Sequence, residues 1–124
     1  MKGAVIAAAG IAFAFALNST AAAQEGARIY GAGARDCAGF LADVKAQPNL
    51  GLSYFSWAQG YMSHRNTIEK EKNGHDVNLT PKAFDFSKQY EAMGNFCVIN
   101  STAHFVDAVE AVYERLRAMD AVSS

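Results

Sequence analysis

Two cysteines, two prolines and one tryptophan stand in a chain of 124 residues, and the scarcity of each narrows what the protein can be. With no third cysteine, Cys37 and Cys97 form the only possible intramolecular disulfide, and an oxidising compartment would maintain it. Two cysteines also exclude a paired C-x-x-C zinc site. The three histidines, His64, His75 and His104, lie too far apart for a metal signature, and H-E-x-x-H is absent. No metal and no cofactor is expected. Neither sign of charge dominates, with 11 Lys and Arg against 12 Asp and Glu, so there is no basic stripe for nucleic acid or an anionic membrane. No serine lies in G-x-S-x-G, and the aspartates are scattered rather than coupled, which leaves no recognisable catalytic set. A non-enzymatic protein is the expectation, with a small hydrolase as a remote alternative.

The one long apolar run is at the start. Met1-Lys2 gives a positive end, residues 4–17 carry no charge, and Ala21-Ala22-Ala23 offers an A-x-A cleavage site. Residues 1–23 read as a secretory signal peptide, cut before Gln24, which implies a periplasmic or secreted protein with no membrane span after cleavage. Residues 24–35 mix glycine with small residues and show no apolar period, so a flexible lead-in is expected there. The remaining hundred or so residues suffice for one domain, near the size at which a staple helps.

The richest aromatic stretch, residues 53–66, reads as a central helix. Tyr54, Trp57, Ala58, Tyr61 and Met62 recur at i, i+3, i+4, i+7 and i+8, one face of a 3.6-residue repeat. Gly60 interrupts it at a cost of roughly 1 kcal/mol against alanine, which a close helix approach beside Tyr61 would offset. Asp36 is a good N-cap for an earlier helix with Cys37, Phe40, Leu41 and Val44 on one face, ended by Pro48. Asn49 or Ser53 can cap the central helix, and Gly74 suits its left-handed end. Thr80 and Pro81 predict the start of a third helix with Phe86, Tyr90, Met93 and Cys97 on its buried face, Phe84 off that line, and Gly94 open to close packing. After the break at Asn100-Ser101-Thr102, Phe105, Ala108, Val109, Val112, Leu116 and Met119 form the clearest stripe of the chain. Most aromatics should fill the core, whereas Phe55 and Tyr113 are the ones expected at a protein contact. The expected fold is all-α: a compact four-helix domain, orthogonal or bundle-like, with one disulfide closing a loop of about sixty residues, worth about 4 kcal/mol in the chain-entropy picture.

Trp57-Ala58-Gln59-Gly60-Tyr61-Met62-Ser63 followed by Asn66, then Phe96-Cys97-Val98-Ile99-Asn100 and a last helix with Phe105, Ala108, Val109 and Leu116, resembles small exported bacterial proteins. These are grouped with Tai-type immunity proteins and, more distantly, with HdeA-like acid-stress chaperones. The opening Asp36-Cys37-Ala38-Gly39-Phe40-Leu41 is similar to that of the HdeA family, and the likeness covers residues 36–117. There are departures: Ser101 replaces an expected proline, Ser63-His64 an expected Ser-Gly, and a single bridge stands where many Tai-type members have two. The resemblance implies an HdeA/Tai-like helical domain over residues 36–120 that binds proteins. Its partners would be either unfolded clients under acid stress, with the carboxylates protonating and a homodimer or the fold loosening, or one toxin blocked by the loop at residues 73–80, which includes Asp76.

Overall fold

The computed structural model describes residues 28–123, so the expected signal peptide and the first part of the lead-in lie outside the described residues. Asp36 caps the first helix as its side-chain chemistry requires, accepting the Gly39 N–H at 2.8 Å, and α1 spans Cys37–Ala46. Helix α2, Leu50–Asn73, follows after Pro48 and ends at Gly74, whose φ of 80° closes it in the left-handed conformation. Helix α3 covers Phe86–Ile99 and α4 covers Phe105–Ser123. No strand forms among the described residues; an isolated antiparallel bridge pairs Asp36 with His104. The fold is all-α, with four α-helices among the described residues and a Cys37–Cys97 disulfide joining the start of α1 to α3.

Helix α3 packs along α4 and also against α1, while α2 lies against α4. The stripes expected for α1, α2 and α4 meet in one core. Phe40 from α1, Tyr54, Ala58 and Met62 from α2, Met93 from α3, and Phe105, Val109 and Leu116 from α4 are all buried around the disulfide. At its centre Phe40, Tyr54 and Phe105 form a mutually contacting trio, with ring centroids 4.6 to 5.0 Å apart.

Four local expectations are corrected. The lead-in is not a loose tether where it is described: Gly31–Ala34 forms a 3-10 turn between α2 and α4, and Gly33 is buried against the Trp57 indole. The third helix does not start at Pro81, which stays extended at φ −67° and ψ 139°; before it, Asn78 Oδ1 accepts both the Thr80 N–H and the Thr80 hydroxyl. One 3-10 turn, Lys82–Phe84, intervenes, and Asp85 caps α3 through the Lys88 N–H. That delay turns Phe84 into the core beneath the Arg115 guanidinium and leaves Phe86 half exposed, the reverse of the expected order. Gly60 and Gly94 meet no neighbouring element, so neither serves a close helix approach.

Candidate functional site

Helix α2 sets Leu52, exposed, and Phe55, half-buried, one turn apart at the edge of the face that buries Gly51, Tyr54, Ala58 and Met62. Facing them, the late start of α3 sets Phe86 and Tyr90 at the rim. Pro48, Leu52, Phe55, Phe86, Ser87 and Tyr90 line an open cleft of about 290 Å³ that contains no charged side chain. Phe55 meets Phe86 and Tyr90 edge-on, at 5.6 and 5.8 Å between ring centroids. Leu52 is 75 % exposed and Phe86 46 %, a concentration of apolar surface that the fold itself does not use.

Elsewhere the helices are clasped by charge. Asp43 on α1 accepts from Arg35 Nε and Nη2, at 3.1 and 3.2 Å, and from the Tyr54 hydroxyl at 2.6 Å. The Arg35 hydrogen bond, then that of Tyr54, holds the Asp43 carboxyl below its usual range. Burial, with help from the Asp43 hydrogen bond, pushes the Tyr54 phenol up to about 12. A second clasp joins α2 to α4. The Tyr61 hydroxyl donates to Glu110, Arg65 pairs with Glu110 at 3.0 Å and Glu114 at 3.4 Å, and Arg117 bridges Glu69 and Glu114. Burial and the Glu110 contact raise the Tyr61 phenol to about 12 as well. At Glu69 burial pushes upward, but hydrogen bonds from Asn73 and Arg117 and the Arg117 charge outweigh it, and the carboxyl ends up below its ordinary value.

Of the residues the sequence singled out, Phe40, Phe105 and Leu116 are core, Tyr90 and Phe96 pack at its edge, and Trp57 stacks on Tyr61 at 5.3 Å. Asn66 has a role its spacing did not reveal: it donates to the Val77 carbonyl at 3.0 Å and accepts the Val77 N–H at 2.7 Å, fixing the loop after α2. Asn100 ends α3, its side chain donating to the Phe96 carbonyl. Phe55 lines the cleft. Asp76 is exposed on the loop and pairs with Lys70 at 3.7 Å. Tyr113 is a correction: it lies one turn after Val109 on the buried stripe of α4, is fully buried under Arg65, and cannot touch a partner of the folded protein. Sequence reasoning missed Leu52, Arg35 and Asp43. The i, i+4 spacings of Arg65 with Glu69 and of Glu110 with Glu114 were the readable sign of the second clasp.

Among the described residues no group of three or more His, Cys, Asp or Glu side chains is placed to hold a metal ion, and no helix is long and apolar enough to cross a membrane. Compared with known families, characterised proteins and solved structures, the chain matches none.

Proposed function

We propose that this is a non-enzymatic exported protein, periplasmic or secreted, that binds other proteins through the cleft between α2 and α3 and binds them better when acid loosens the fold. The observation that carries the reading is the charge-free apolar cleft with Leu52 standing out of it, a surface suited to unfolded segments. The carboxylate clasps support the acid dependence. Asp43 and Glu69 titrate below their unfolded values, so the stability they contribute is present above the usual carboxylate range and disappears as pH falls through their folded values. The disulfide then limits how far the loosened chain expands. Such behaviour is what the resemblance to HdeA-like stress-response chaperones implies.

The test is apolar-dye fluorescence and sedimentation of the oxidised mature protein from neutral pH down to about 3, with an aggregation assay on a reduced, unfolded client. Reversible dye binding, a change of mass, and client protection at the acid end are expected. A compact, dye-silent and inert species at every pH would overturn the reading. In that event the Tai-type alternative gains ground, favoured by one observation: the loop at residues 73–76 is exposed but pinned at its base by Asn66, as a rigid inhibitory loop would be.

A further inference from the structure

Two smaller clefts extend the apolar one along α2. The first, about 170 Å³, shares Phe86 with it and adds Gln59, Met62, Leu79 and Gln89. The second, about 190 Å³, shares Ser63 and Leu79 with the first and reaches Asn66, Lys70 and Asp76. Their α2 residues, Gly51, Phe55, Gln59, Met62, Asn66 and Lys70, recur every three or four positions, so the three clefts share one stripe of a single helix. At 1.5 Å per residue that stripe is about 28 Å long, the reach of an extended chain of about eight or nine residues at roughly 3.3 Å each.

At the floor of the middle cleft lies Gln89, fully buried. Its Nε2 donates to the Leu79 carbonyl at 3.0 Å and the Phe84 carbonyl at 2.8 Å. Both partners can only accept, which fixes the carboxamide with its oxygen on the other branch. That oxygen is buried and has no hydrogen-bond partner in the protein. An unmet buried acceptor is destabilising, and a bound donor removes the defect.

We propose that this furrow holds an extended, uncharged polypeptide segment, one of whose main-chain N–H groups donates to Gln89 Oε1. The inference rests on the protein-binding reading above and names the form of the bound partner. Charge complementarity narrows the occupant. No Asp, Glu, Lys or Arg lines the first two clefts, and Lys70 and Asp76 at the far end neutralise one another, so a charged segment would shed its hydration without finding a counter-ion. Shape argues against a compact cofactor, since the clefts, of about 290, 170 and 190 Å³, run in line along α2 and suit single side chains in succession. Phe86, on the lip shared by the first two clefts, is the side chain that turns aside to admit the donor.

The experiment is fluorescence anisotropy with the oxidised mature protein at pH 7 and pH 4, using a labelled, end-blocked nonapeptide with Leu, Phe and Leu at alternate positions followed by Ser and Asn. Each amide bond is replaced by an ester in turn. Binding is expected, with a drop of about three- to tenfold confined to one or two ester positions, the size of one neutral hydrogen bond. Leu52→Asp, at an exposed site that leaves the core intact, should weaken binding tenfold or more, and an analogue with Asp at the alternate positions should not bind. In Gln89→Met the ester effect should vanish; should that variant fail to fold, the ester scan decides alone. Uniform ester effects, binding of the acidic analogue, or indifference to Leu52→Asp would overturn the furrow while leaving the functional reading intact, provided an unfolded client still binds. Failure of client and peptide alike overturns both. A neutral-pH dimer that Leu52→Asp converts to monomers, without peptide binding, would make the furrow a self-interface and also overturn the proposal.

Discussion

Asp43 draws three hydrogen bonds from two other parts of the chain: two from Arg35 before α1 and one from Tyr54 on α2. Asp43→Asn keeps the shape but removes the charge. Because the folded-state pKa of Asp43 is depressed, the variant should have a lower urea midpoint than wild type at pH 7, and the gap should close as pH falls through the folded value; a gap constant across pH would show the charge to be irrelevant. Gly33 tests a different kind of fit. A Cβ there would overlap the six-membered ring of Trp57, which is itself backed by Tyr61, so Gly33→Ala should cost about 1–3 kcal/mol by overpacking and shift the Trp57 fluorescence. Neither residue announces this in the sequence. A lone aspartate on a helix and a glycine in an alanine-rich lead-in acquire their full set of partners only in the folded chain, when α2 brings Tyr54 and Trp57 beside them.

The elements divide by how local their causes are. Asp36 and Gly74 set helix ends through groups within a few residues, and the α4 stripe is a periodicity, so all three could be read directly. The start of α3 depended on a competition. Thr80 and Pro81 make a sound start signal, but Asn78 engages Thr80 first, and the burial of Phe84 under Arg115 is a long-range gain that no window around residue 80 contains. That shift of a few residues exposed Phe86 and so made the rim of the cleft, which is why the candidate site was less legible than the fold. Phe55 lies off the main stripe of α2 and so reads as a surface residue, whereas Tyr113 follows Val109 by one turn and is drawn into the core, because the buried stripe of α4 is wider than its aliphatic positions alone. The loop after α2 hangs on Asn66. Asn66→Ala should cost about 1–3 kcal/mol, and hydrogen exchange at the Val77 amide should accelerate well beyond that of the α4 core; equal protection in both proteins would show the clamp to be dispensable.

For the molecule as a whole, two limits of stability follow from the clasps. On the acid side, ionised Asp43 and Glu69 are lost as described. On the alkaline side, Tyr54 and Tyr61 are held neutral to about 12 in the folded protein, so stability is complete below the ordinary phenol value of about 10 and declines as pH climbs from there through 12. Phenolate absorbance should therefore rise together with loss of helical circular dichroism; phenols ionising with the helices intact would contradict it. Reduction of Cys37–Cys97 frees a loop spanning 60 residues and should lower stability by about 4 kcal/mol, most visibly in acid, measured as a fall in the urea midpoint with added reductant. The bridge between Asp36 and His104 adds a constraint of timing. The Cys37 N–H bonds to the Ala103 carbonyl, the Ala38 N–H to the Ser101 carbonyl, and the Phe105 N–H to the Arg35 carbonyl, so the seat of the first helix is made from backbone that is synthesised well after it. A chain emerging from its N-terminus carries α1 unseated until residues 101–105 follow it out.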